Sequence, residues 1–175
     1  MKITALRLLA GVAIVAALSG AASAQQQPPA APAPVPEQMP FDIPYGMPIG
    51  LEQAKHVLAA AEAEAKKHNW KMNIAVVGPA GELVYFEKMD GAQLASIQIS
   101  QDKAHAAATF RRPTKAFFDA VEGGHVYIAF LHGVVPSDGG FPLVEGGKLI
   151  GAIGCSGGTG AQDGVTCKAG ADTVK

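Results

Sequence analysis

Arginine is scarce in this chain of 175 residues: Arg7, Arg111 and Arg112 are the whole supply. Acidic residues slightly outnumber basic ones, 15 against 14. A footprint for a phosphate backbone needs clustered Lys and Arg, so nucleic acid is excluded as a partner. Aromatic residues make up only 6 %, so a core has to be assembled from Ala, Val, Ile and Leu. Paired-histidine zinc motifs and the Gly-x-x-x-x-Gly-Lys phosphate loop are missing. Apart from the first two dozen residues there is no long hydrophobic run, which excludes a polytopic membrane protein.

What is present begins with an export signal. Lys2 and Arg7 form a charged region, Leu8–Leu18 an apolar one, and Ala22-Ser23-Ala24 a small-x-small cleavage site. The expected mature chain starts at Gln25, carries a formal charge of about −3 and has no stable membrane span after processing. Without an anchor or sorting signal, its destination is the periplasm or the medium. Residues 25–50 hold eight of the twelve prolines and read as a Pro-rich linker, because a segment of Gln, Pro, Ala and Val buries little apolar surface.

The folded domain is expected over 51–175. Leu51, Ala54, Leu58, Ala61 and Ala65 recur at helical spacing, which predicts a helix to about His68. Met72–Gly78 and Glu82–Lys88 flank a short Pro-Ala-Gly turn and read as an antiparallel hairpin. A second helix is expected from Gln93 to Phe110, its alanines allowing close packing on a sheet. A third follows from Thr114 to Val121, between Pro113 and Gly123-Gly124. Tyr127–Val135 reads as a strand, Phe141–Val144 and Lys148–Cys155 as a second hairpin, and Ala161–Ala171 as a final helix. Hairpin-linked strands predict an antiparallel α+β sheet flanked by helices.

Several segments, in order, resemble the GlcG/HbpS family. They are Ile74–Val84, Met89-Asp90-Gly91-Ala92, Asp102-Lys103-Ala104 with Ala107, Phe110 and Pro113-Thr114, then Gly139–Leu143 and Gly151–Gly158. The resemblance covers about 51–172. It implies a profilin-like α+β fold, a homo-oligomer, and non-covalent haem as cofactor, for storage, scavenging or sensing. Covalent attachment through Cys-x-x-Cys-His has no basis here. The family also carries an association with glycolate, so the alternative is a binding protein or enzyme for a small oxygenated organic acid such as a hydroxy acid. No triad order or paired acids writes a specific reaction.

Haem needs an axial donor, an apolar slot and a cation for its propionates. His56 lies opposite the apolar stripe of the first helix, and His68 suits a helix C-terminus. His125 follows two glycines in a loop, where it is either a mobile ligand or without a role. His132, on the expected later strand, reads equally as a core histidine or as one facing an apolar pocket; it and His105, on the second helix, are the rival iron ligands. His105, Ala108 and Arg112 step along one side at spacings of 3 and 4, so Arg112 is the expected propionate anchor, with Thr114 in the turn beyond it. Arg111 and Arg112 read equally as solvated charges or as an anion site. Lys103 is expected in a structural role, paired with Asp102 or Asp90 or held beneath the pocket. Cys155 and Cys167, in an exported chain, are expected to form a disulfide enclosing about a dozen residues, with a redox pair as the alternative.

Overall fold

The computed structural model describes residues 34–39 and 41–175. The signal segment and most of the Pro-rich stretch lie outside the described residues. Of the two units into which the chain divides, the second, Gln38–Lys175, holds the described fold. In the second unit the order is α1 (Leu51–Lys67), β1 (Asn73–Val77), β2 (Leu83–Lys88), α2 (Ser96–Thr109), α3 (Lys115–Glu122), a 3₁₀ segment (Val126–Phe130), β3 (Gly140–Glu145), β4 (Lys148–Ser156) and α4 (Gly160–Ala171). The four strands form one antiparallel sheet in the order β2-β1-β4-β3. No helix among the described residues is long and apolar enough to cross a membrane.

Alternation along β1 sorts its side chains between two layers. Ile74 and Val76 join Val57, Leu58, Ala61, Ile153 and Cys155 in the main core, under α1 and α4. Ala75 and Val77 face the other way and pack with Ala104, Ala107 and Ala108 of α2. Only small residues permit that second approach: a Cβ on Gly154 would run into the carbonyl of Ser100. The alanine-rich helix and the glycine-rich strand are therefore two halves of one close contact. Cys155 and Cys167 are bridged, with 5.5 Å between their Cα atoms, which ties α4 to β4.

Two features differ from the sequence expectation. Tyr127–Val135 is not a strand. Its backbone closes on itself, with the Ile128 amide donating to the His125 carbonyl at 3.1 Å and Leu131 to Ile128 at 3.2 Å. Gly133 has φ +79°, a left-handed turn that cuts the run short. Both neighbours of β4 are already in place, so this apolar stretch lies on the surface, with Phe130 84 % exposed. The other feature is a strap from Phe41 to Gly50, within the stretch read as linker. The Gly46 amide donates to the Leu149 carbonyl at 2.7 Å, the Leu149 amide to Pro44 at 2.9 Å, and the Ile49 amide to Ile150 at 2.8 Å. Ile49 is buried in the main core. The strap lies against β4 beyond Ala152, where the pairing with β1 stops.

Candidate functional site

A cleft of about 460 Å³ opens between α2 and the turn that follows the 3₁₀ segment. Asp102 and His105 line one side; His132, Gly133, Val134 and Val135 line the other. The two histidines singled out as rivals therefore share one cavity. Both are exposed, so His132 is not a core histidine on a strand face. It reaches the cleft because Gly133 turns the chain and the Val134 amide closes that turn on the Leu131 carbonyl at 3.2 Å. A cavity of this size falls within the range of small-molecule and cofactor sites.

The β1–β2 turn sets the ring of His105. Its Nδ1 lies 3.4 Å from the carbonyl oxygen of Gly81. A carbonyl only accepts, so Nδ1 donates the proton and the neutral ring keeps its lone pair on Nε2. Gly81 has φ +87°, and a Cβ there would occupy the place of Nδ1. The turn is held by Gly78, whose amide donates to the Glu82 carbonyl at 2.8 Å, and by the Glu82 carboxylate, which accepts from the Ala80 amide at 3.1 Å. One turn along α2, Thr109 Oγ1 donates back to the His105 carbonyl at 2.8 Å.

The remaining candidates are placed elsewhere. α2 ends at Thr109, and Arg111 turns the chain with φ +55°. Its amide donates to Ala108 and that of Arg112 to Ala107, the closing pattern of a helix whose next residue is left-handed. Arg112 thus lies beyond the helix, and Ala108 is fully buried against the sheet. The expected line of His105, Ala108 and Arg112 along one open face does not exist. The Arg112 guanidinium instead lies 3.5 Å from the centre of the Phe41 ring, on the strap. Thr114 is fully buried: its Oγ1 accepts from the Gly140 amide at 2.9 Å and its own amide donates to the Gly140 carbonyl at 3.0 Å. It clasps α3 to β3 and does not line the cleft. His68 caps α1, 3.2 Å from Glu64 Oε1 and stacked on Trp70. His56 and His125 are exposed.

Lys103 is not paired with Asp102 or Asp90. It is 1 % exposed, and its Nζ donates to Asp163 Oδ2 at 2.7 Å and to the Cys155 carbonyl at 3.2 Å. The other oxygen of Asp163 accepts from the Gly158 amide at 3.0 Å. Sequence reasoning missed Asp163. Its signal was a lone acid in the first turn of α4, where a helix favours negative charge. Beside this pair lies a second cleft of about 320 Å³ with Lys115, Phe118, Ser137 and Asp138 in its walls. Burial pushes the Asp138 carboxyl above its usual range, against the opposing hydrogen bond from the Gly139 amide.

Among the described residues, no three His, Cys, Asp or Glu side chains converge into a metal cage. Each histidine of the first cleft offers one imidazole nitrogen donor to it.

Residues 49–172 match the family model described as haem degrading protein HbpS-like. The chain is 39 % identical over 105 residues to Protein GlcG of Escherichia coli K12, a match covering 60 % of this chain and 78 % of that one. The fold is similar to that of a double mutant of HbpS from Streptomyces reticuli, with TM-score 0.69, 25 % identity, and coverage of 83 % and 99 %. It is also similar to the fold of PduOC in complex with haem, with TM-score 0.67, 23 % identity, and coverage of 74 % and 96 %.

Proposed function

The chain belongs to the HbpS-like family, and on that premise we propose that it is an exported haem-binding protein that stores, scavenges or senses haem. The observation that carries this reading is the shared cleft: His105 and His132 stand on its two sides, and the His105 Nδ1 lies 3.4 Å from the Gly81 carbonyl oxygen. A histidine that ligates iron commonly gives its other ring proton to a carbonyl, which orients the ring and raises its basicity. His105, through Nε2, and His132, from the facing wall, are the residues that would hold the haem iron. Val134 and Val135 supply apolar surface beside them. Bound haem supplies redox-active iron; the chain supplies ligation, orientation and a partly apolar wall. The test is a titration of the purified protein with haemin. Saturable growth of a Soret band at one haem per chain supports the proposal, and free-haemin spectra throughout refute it.

The same reading includes assembly. Val126, Tyr127 and Phe130 are more than half exposed on the 3₁₀ segment, an apolar patch of the kind that copies of a chain cover in each other. Light scattering at micromolar concentration should give a homo-oligomer; a monomer mass would count against it.

The second cleft supports an alternative, a binding protein for a small oxygenated organic acid. Lys115 offers a cation and Asp138 a hydrogen-bonding carboxyl in partly apolar walls. A thermal-shift panel of short hydroxy acids tests it. Stabilisation by the acids and none by haemin would favour it over the first reading.

A further inference from the structure

Arg111 and Arg112 are the only arginines among the described residues, and neither forms a close ion pair with another of them. The nearest carboxylate to Arg111 is that of Asp42, at 4.0 Å and 87 % exposed. Arg111 otherwise donates from one terminal nitrogen to the Ile43 carbonyl at 3.1 Å, and Arg112 donates Nε to the Phe110 carbonyl at 3.1 Å. A guanidinium has five N–H groups, so most of the donors on both side chains meet no acceptor among the described residues. The two cations are also close enough to feel each other. Burial, and then the charge of Arg111, lower the proton affinity of Arg112.

What holds them is aromatic. Phe41 of the strap lies 3.5 Å from the Arg112 guanidinium, and Phe117 of α3 lies 5.6 Å away. Tyr45 lies 5.5 Å from that of Arg111, and its hydroxyl donates to the Thr109 carbonyl at 3.0 Å. Stacking takes the face of a guanidinium and leaves its edge, the part that matches an oxyanion, open. Arg111 also keeps a left-handed backbone, where glycine is the usual residue. Such a conformation costs about 1 kcal/mol or more and persists where a side chain is needed in that place.

From the stacked faces, the unused edges and the uncompensated pair of charges, we infer that Arg111 and Arg112 form a binding site for a doubly charged oxyanion, assembled by the strap. Phosphate and paired carboxylates share the recognising chemistry: two adjacent anionic oxygens that accept two hydrogen bonds from each fork. The strap pre-organises the site, because Phe41 and Tyr45 pay in advance the ordering of two long side chains. The inference is independent of iron ligation by His105.

From Gln25 onward the chain contains no further arginine. Mature protein labelled with ¹⁵N only at arginine therefore gives two side-chain Nε signals, assigned by Arg→Lys substitution. Titration with inorganic phosphate, and separately with succinate, at constant ionic strength should move the Arg111 and Arg112 signals together along one saturable curve. The ratio of the two affinities distinguishes phosphate from dicarboxylate as the class. Phe41→Ala should weaken binding about three- to tenfold, the range of a partly desolvated cation–π contact. Phe41→Leu, which keeps apolar packing, should weaken it similarly and controls for misfolding. Shifts that follow ionic strength, that chloride reproduces, or that survive Phe41→Leu at unchanged affinity would overturn the inference.

Discussion

The Nδ1 atom of His105 lies 3.4 Å from the carbonyl oxygen of Gly81, across 24 residues of sequence. A ring on α2 is thereby oriented by the hairpin turn between β1 and β2. Three requirements meet at Gly81: a left-handed backbone, room for the imidazole, and a carbonyl aimed at it.

Gly81→Ala should disturb all three. The left-handed backbone alone costs on the order of 1–2 kcal/mol for a residue with a Cβ, and the added methyl collides with the His105 ring. The expected outcome is a lower Tm together with weaker haemin binding and an altered Soret band. Haemin binding that survives Gly81→Ala unchanged would separate the turn from the site.

Much of the fold was legible because its signals are local. The heptad-like alanines of α1, the alternation of β1 and the Pro-Ala-Gly turn each specify one element, and each lies within a few residues of its expected bounds. The Tyr127–Val135 run misled because apolar residues alone do not make a strand; its backbone bonds within itself and Gly133 turns it, so it joins neither edge of the sheet. The strap was hidden because Pro-rich composition reports that a segment cannot form a core, not that it cannot lie on one. For the site, residue types pointed to His105 and His132, but only the fold places them in one cleft. Arg112 was misplaced because spacing was counted through Arg111, where the helix has already ended.

The buried pair of Lys103 and Asp163 gives an asymmetric expectation. Asp163→Asn leaves a lysine charge uncompensated in the interior and weakens the hold on the Gly158 amide. Breaking one partner of such a pair costs about 3–5 kcal/mol. Lys103→Met with Asp163→Leu removes both charges and should be less destabilising than either single change, as read from denaturant midpoints. A double variant worse than both singles would assign the pair a larger role than charge balance.

The disulfide between Cys155 and Cys167 encloses a short loop. Bridges of this size are worth on the order of 3 kcal/mol. Cys155→Ala with Cys167→Ala should lower the unfolding free energy by about that amount and leave the far-ultraviolet spectrum unchanged. In the unreduced, denatured protein, thiol labelling should find none; two labelled thiols would contradict the bridge.

Asp138 sets a pH dependence. Burial raises its folded-state pKa, so the folded chain holds that proton more tightly than the unfolded one. Its contribution to stability is therefore least favourable where it is ionised, and improves as pH falls through the raised value. Asp138→Asn keeps an oxygen for the Gly139 amide and removes the charge. It should stabilise the protein at pH 7 by a few tenths of a kcal/mol, since the group is partly solvated. The gain should shrink as pH falls and vanish only well below about 3.9, where the aspartate is protonated in both states. A gain that persists at low pH would point to packing, not charge.

The most direct measurement is haemin titration of His105→Ala, His132→Ala and the double variant, followed by Soret absorbance. His105→Ala should shift the band and weaken binding by at least tenfold, and His132→Ala should have a smaller effect on both. In the double variant the ligated spectrum should disappear while the far-ultraviolet spectrum and Tm stay near wild type, since both side chains are exposed. A double variant that binds haemin with unchanged affinity and spectrum would contradict histidine ligation in this cleft.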